Sequence, residues 1–455
     1  MKKIKSINPA TGELNEEFDH YSSQTVNEKM KISRKASNDW KNESIDQRCS
    51  SIEEIAKVLR SNKKELAEVI TKEMGKPIKE SIAEIEKCAW TCDYFSKNTK
   101  NFLEPEFVES DAESSCSVFE PAGIVLSIMP WNFPFWQALR FGIPALAGGN
   151  TVLLKHASSV PMCALEIENV FTEAGLPEGI YQTILVDGPT ASSLIARDEI
   201  NAVSFTGSRP AGEKVAQAAG GSIKKFILEL GGSDPFIVLD DADIPKAAKA
   251  AVTGRFQNCG QSCIAAKRLL INENVVDDFT ELFLKNIDDM KMGDPMDSDT
   301  NMGPMASEKQ RKILDKQVTE SLRKGANVLL EGGITEEDGF FYLPTVLNEI
   351  NREAPVVTEE TFGPVAPIIT FKNDDEAIKI ANGTEFGLGA SIWSRDKDRG
   401  TRMAKKVEAG VIAINSIVSS DPRLPFGGMK KSGVGRELSR IGMLEFMEVK
   451  SMKIY

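Results

Sequence analysis

The sequence predicts an α/β protein built on buried parallel sheets, and three observations carry that prediction. From residue 118 onward, short apolar runs alternate with helical stretches: "GIVLSIM", "NTVLLKHA", "YQTILV", "NAVSFTG" and "KKFILELGG". A second series of the same texture follows in "KRLLINENV", "NVLLEGG", "APIITF", "ASIWS" and "GVIAIN". Runs rich in β-branched residues, each followed by a candidate helix, are the pattern of βα units on a sheet covered on both faces, a doubly wound design. Finally, 455 residues exceed what one core holds, so the chain divides into domains.

Taken in order, the first hundred residues read as solvated helices. "IDQRCSSIEEIAKVLRSNKKELAEVITKEMGK" places apolar residues three and four apart and ends on a glycine stop. "FLEPEFVESDAESSCSVFEP" lacks helical spacing and reads as an extended arm. The first βα series runs up to Gly231 and Gly232, where a domain boundary is expected, and the second series follows. "SEKQRKILDKQVTESLRKGA" is a helix within that second series. The tail "MEVKSMKIY" alternates like a strand suited to pair with the arm.

Composition narrows the function. A net charge of −12 disfavours nucleic acid as a partner. No apolar run approaches the roughly 18 residues that span a bilayer, and "MKKIKSINPATGEL" lacks the apolar stretch of a signal peptide. Seven cysteines without CxxC pairs form neither a disulfide framework nor a zinc site, which points to a cytoplasmic protein with reduced thiols.

The chemistry-bearing motifs fall at the carboxyl ends of the expected strands, where such folds bind ligands. "SFTGSRPAG" sets Gly207, Ser208 and Gly212 between a strand and a helix, a place for a pyrophosphate or simply a tight turn. "LLKHAS" ends a strand with Lys155 and Ser158, which suit a ribose or phosphate, or a solvated charge. "ILELGG" puts Glu229 in an apolar strand, where burial raises a carboxyl pKa. "IMPWNFPFW" holds Asn132 between aromatics and prolines, as an oxyanion donor or a structural amide. In "RFQNCGQSCIAAKR", "NCGQSC" precedes the apparently helical "IAAKR", where a helix N-terminus would lower a thiol pKa, or the cysteines are simply buried and inert. The chain has only two histidines, His20 and His156, so a histidine base is not expected.

In this order and at these separations, "PWNFP", "FTGS", "LELGG", "GQSC", "EETFGPV" and "PFGG" followed by "KKSGVGREL" resemble the NAD(P)-dependent aldehyde dehydrogenase superfamily across essentially the full chain. The resemblance implies a Rossmann-type cofactor domain, here 1–102 with 122–230, and an α/β catalytic domain at 231–431. Segments 103–121 and 432–455 would form a small β arm for oligomerisation, as a homodimer or homotetramer. It also implies roles: Cys263 as nucleophile, Glu229 as general base, and Asn132 with the Cys263 backbone N–H as oxyanion hole. NAD or NADP would lie along Ile128, Trp131, Lys155, Ser158, Gly188, Phe205, Gly207, Ser208, Leu230, Glu360 and Phe362. No metal is implied.

Within the superfamily, "KHAS" and "ELGGSDPFIVLDDAD" in a compact chain resemble the bacterial succinate-semialdehyde dehydrogenases. That resemblance implies Arg140 and Ser420 as the groups that bind a substrate carboxylate, although Gln257 stands where other branches carry a second arginine. The alternative for Arg140 is a salt bridge. A serine rather than glutamate at position 158 removes a negative charge from the ribose site and favours NADP. Rival readings are a general aliphatic or amino-aldehyde dehydrogenase, a CoA-acylating member, and a catalytically silent scaffold. Cys259 reads either as a packed thiol or as a redox partner of Cys263.

Overall fold

Four helices, Ser23–Trp40, Ile45–Ser61, Lys63–Met74 and Ile78–Phe102, occupy most of the first hundred residues of the computed structural model, which describes residues 3–336 and 338–455. Their limits follow local chemistry. Ser44 and Gln47 form a capping box that starts the second helix. Gly75 ends the third with φ +83, a conformation that costs glycine no Cβ clash. An N-terminal hairpin, Ile4–Ile7 with Leu14–Phe18, precedes them and is not legible in the sequence pattern.

The first series of apolar runs forms one sheet. Its order is Gly433–Val434, Lys225–Glu229, Ala202–Thr206, Ile124–Met129, Thr151–His156 and Tyr181–Thr183. All pairs are parallel except the edge strand Gly433–Val434. The second series lies in a seven-stranded sheet ordered Asn327–Leu330, Thr345–Asn348, Val365–Phe371, Ala266–Asn272, Asp234–Val238, Gly389–Trp393 and Val411–Ile414. Each sheet has its own buried core, so the two sheets are separate packing units joined through residues 230–233. Asp234–Val238 is central to this sheet although "DPFIV" opens with an acid and a proline, signals that read as a turn.

One expectation is corrected here. The "IAAKR" segment after Cys263 is not helical; the strand Ala266–Asn272 begins within it. All seven of its residues are buried between two parallel neighbours, and that burial overrides the helix propensity of its alanines.

The extended arm and the tail meet. Met447–Ile454 pairs antiparallel with Ser114–Pro121 over eight residues, with Glu106–Phe107 on the other edge. Phe107, Val449, Ile454 and Tyr455 are exposed on this small sheet and its end. Among the described residues, no helix is long and apolar enough to cross a membrane.

Candidate active site

The loop that carries Cys263 is set by backbone geometry. Asn258, Cys259 and Gly260 all have left-handed φ, at 53°, 54° and 69°. For the two non-glycine residues this conformation costs free energy and must be held by neighbours. Glu80 accepts the Asn258 backbone N–H at 2.9 Å, while Asn258 Nδ2 donates to the carbonyls of Asn132 (2.8 Å) and Gln261 (3.2 Å). The two cysteines pack with different cores. Cys259 is buried in the core of the second sheet, and Cys263 packs against the core of the first.

Cys263 then lines two cavities. One, of about 230 Å³, is also walled by Trp131, Asn132, Thr206, Gly207, Ser208, Leu230, Gly231, Glu360 and Phe362. The other, of about 180 Å³, is walled by Lys87, Trp136, Arg140, Gln257, Ser420 and Phe426 among others. Gln137 is the second residue common to both. Burial pushes the Cys263 thiol up to about 11, although Arg140 and Lys267 pull it down. A strand follows instead of a helix, so the element after Cys263 brings no helix dipole to the thiolate. The thiol is protonated at neutral pH until a base or a ligand changes its surroundings.

Asn132, buried at 4% exposure, donates from Nδ2 to the Gln261 carbonyl at 3.0 Å. That bond fixes its amide beside the Cys263 loop and leaves a second N–H for a ligand oxygen. Glu229 ends the strand Lys225–Glu229, and neither of its buried carboxyl oxygens has a hydrogen-bond partner. Burial and then Glu437 raise its pKa well above the ordinary carboxylate range, opposed by Arg140 and Arg436. It lines neither cavity; a Cβ on Gly427 would come within 2.8 Å of its Oε1.

The first cavity suits an anionic ligand with a flat ring. Ser208 starts the helix Arg209–Gly221 without capping it through its side chain, which leaves backbone N–H groups open. The Thr206 hydroxyl is buried without a partner. Trp131 and Phe362 meet edge to face at 5.7 Å. Arg255 clamps the Phe362 loop, donating to the carbonyls of Thr361 (3.2 Å), Gly363 and Val365 (2.6 Å). Phe205, Ile128 and Lys155 form one row of register partners across three parallel strands, outside the cavity wall. Lys155 has its pKa lowered by burial. Ser158 is exposed after its strand, and Gly188 begins the helix Gly188–Ile195. The structure thus brings Trp131, Asn132, Gly207, Ser208, Leu230, Cys263, Glu360 and Phe362 together and spreads the other expected cofactor residues along the neighbouring strand ends.

At the second cavity, Arg140 is ion-paired with Glu437, at 2% and 0% side-chain exposure. Its guanidinium also lies 4.6 Å from the Phe426 ring centroid. Ser420 accepts a hydrogen bond from Lys87 at 2.8 Å. His156 accounts for neither cavity: it is buried, lies 2.9 Å from the Pro134 carbonyl, and burial lowers its pKa to about 4.

Sequence reasoning missed Glu80, Lys87, Lys267 and Glu437. Lys267 and Glu437 lie inside or beside quoted motifs, so a charged residue expected to be buried was the available signal. Glu80 and Lys87 sit on the helix Ile78–Phe102, far along the chain, and carry no such signal.

Comparison with known proteins agrees with this geometry. The aldehyde dehydrogenase family model matches residues 1–452. A Synechocystis protein named "Probable succinate-semialdehyde dehydrogenase", with NADP(+) in its name, is 44% identical over 451 residues, covering 99% of each chain. The Escherichia coli succinate semialdehyde dehydrogenase Sad, named for NAD(P)+, is 42% identical over 447 residues, covering 98% of this chain and 97% of that one. The solved Streptococcus pyogenes succinic semialdehyde dehydrogenase with NADP+ superposes with a TM-score of 0.97 at 34% identity, covering 99% of each chain. By its motifs, its fold and a match that runs almost end to end, this chain belongs to the aldehyde dehydrogenase family.

Proposed function

We propose that this protein oxidises succinate semialdehyde to succinate, using NADP at least as well as NAD. The observation that carries the reading is the position of Cys263 in the wall of both cavities, so one thiol faces a cofactor on one side and an aldehyde on the other. The substrate and cofactor named for the relatives support the specific choice.

In this reading Cys263, once deprotonated, adds to the aldehyde carbon, and Asn132 Nδ2 and the Cys263 backbone N–H stabilise the resulting oxyanion. A bound nicotinamide would supply the acceptor for the hydride that leaves that carbon. The carbon stays bonded to Cys263 as a thioester. Glu229 takes a proton from a water that attacks it, releasing the acid and the thiol. Because Glu229 lines neither cavity here, this role requires its side chain to move toward Cys263. Trp131, Glu360 and Phe362 orient the ring and its ribose, and the start of the helix Arg209–Gly221 receives the pyrophosphate. Lys155 and Ser158 take the adenosine ribose, Ile128, Phe205 and Gly188 flank the adenosine half, and Arg140 and Ser420 receive the substrate carboxylate.

The test is NADPH formation across succinate semialdehyde, butanal and an amino-aldehyde, with both cofactors, in wild type and Cys263→Ala. Preference for the semialdehyde, lost in Cys263→Ala while NADPH binding persists, is the expected result. Turnover in Cys263→Ala within about tenfold of wild type, a barrier change of only ~1.4 kcal/mol, would overturn the covalent route. The exposed apolar residues of the small sheet further suit a second copy of this cytoplasmic chain, giving a homodimer or homotetramer.

A further inference from the structure

The two cations facing the chamber behind Cys263 differ in company. Arg140 is ion-paired with the buried Glu437. Lys87 forms no ion pair among the described residues, because every carboxylate near it is already engaged. Glu84 is held by Lys76 and by the backbone N–H groups of Phe135 and Trp136, both at 2.9 Å. Asp421 is chelated by Arg423 at 2.6 and 2.9 Å, and Glu80 accepts the Asn258 N–H. Lys87 Nζ donates instead to Ser420 Oγ at 2.8 Å and stands 4.3 Å from the centroid of the Trp136 ring. Burial, with Arg140 nearby, draws its pKa down to about 8. A largely desolvated ammonium without a counter-charge is costly, and an anion entering the chamber would offset that cost.

We propose that Lys87 joins Ser420 and Arg140 at the far end of the substrate as a further direct anchor for its carboxylate. The inference rests on the semialdehyde reading above and adds a residue that reads the acid. Ser420 Oγ accepts from Lys87, so its own proton is free to donate to a carboxylate oxygen. Ammonium and hydroxyl then make a two-point, charge-assisted contact. Trp136 holds the ammonium from one side through its ring face. Arg140, balanced by Glu437, contributes less net charge to the same chamber.

Lys87→Met, Lys87→Arg and Ser420→Ala are assayed with succinate semialdehyde and with butanal, which has the same chain length without the acid. The readout is the ratio of kcat/KM for the two substrates. Lys87→Met is expected to lower that ratio at least about tenfold, mostly through KM for the semialdehyde, as loss of a charge-assisted hydrogen bond requires. Lys87→Arg retains most of the ratio, and Ser420→Ala loses part of it. A Lys87→Met ratio within about twofold of wild type, whether both activities hold or both fall together, overturns the assignment. Should Lys87→Met fail to fold, Lys87→Gln, which keeps a donor for Ser420 without the charge, decides by the same ratio. The wild-type ratio separates the two readings. A wild type indifferent to the acid removes both, whereas a preference that survives in the Lys87 variants overturns this inference alone.

Discussion

Lys267 Nζ donates to the carbonyl of Cys263 at 2.8 Å, from a side chain with no exposed surface. The same ammonium reaches the Gly232 carbonyl and Glu360 Oε1, both at 2.7 Å, and stands 5.4 Å from the Phe362 ring centroid. One cation therefore ties the Cys263 turn, the link between the sheets and the loop that carries Glu360 and Phe362. Lys267→Met leaves the Gly232 and Cys263 carbonyls without their ammonium donor, at about 1–3 kcal/mol for each one buried, and leaves Glu360 Oε1 only the Gly232 N–H. The expected outcome is a lower unfolding temperature and a roughly tenfold loss in kcat/KM for NADP, read by thermal melts and by kinetics with varied NADP. An unchanged KM for NADP alongside the lower melting temperature would limit Lys267 to a structural part.

Glu229→Gln should release one equivalent of NADPH per site and then stall as an acyl-enzyme, visible as a mass adduct on Cys263. Absence of the adduct would assign hydrolysis to another group. The raised pKa of Glu229 adds a second signature. The folded state holds this proton above the ordinary carboxylate range, whereas the unfolded chain releases it near a pKa of about 4.3. Stability contributed by the wild-type side chain is therefore complete at low pH and declines as pH rises through and above that value. Gln does not titrate, so the melting temperature of Glu229→Gln should gain on wild type between pH 5 and pH 8.

Arg140→Ala breaks a buried ion pair and leaves Glu437 uncompensated, a change that costs about 3–5 kcal/mol. A double variant, Arg140→Ala with Glu437→Gln, removes the stranded charge and should recover much of that stability. If Arg140 also draws the substrate acid, KM for succinate semialdehyde stays raised in the stable double variant. Recovery of both stability and KM would leave Arg140 a purely structural partner.

Ser158→Glu places a negative charge at an exposed position beside Lys155, at the end of the strand Thr151–His156. Charge repulsion should raise KM for NADP at least about tenfold while KM for NAD changes little. Equal effects on both cofactors would show that residue 158 does not face the 2′-position.

Much of the architecture was legible in the sequence because it rests on local pattern. Alternating apolar runs and helical stretches marked ten strands in two series, and the strand-like tail Met447–Ile454 met the arm Ser114–Pro121 in register. Asp234–Val238 and Thr345–Asn348 escaped because their lengths and flanking residues resemble turns, and only their neighbours make them strands. "IAAKR" misled for the same reason, since a central slot in a buried sheet outweighs what alanine prefers alone.

The sequence by itself determined the family and the motifs that bound the two cavities. Those depend on residue type and spacing, which the chain carries in one dimension. The tertiary structure decided the electrostatic company of each charge. It gave Arg140 a buried partner in Glu437 and left Lys87 without one. It packed Cys259 in one core and Cys263 against another, and it bonded Lys267 to both the Cys263 carbonyl and Glu360. Charges interact through space, and Lys87 and Ser420 lie 333 residues apart along the chain, so no local pattern could report their hydrogen bond.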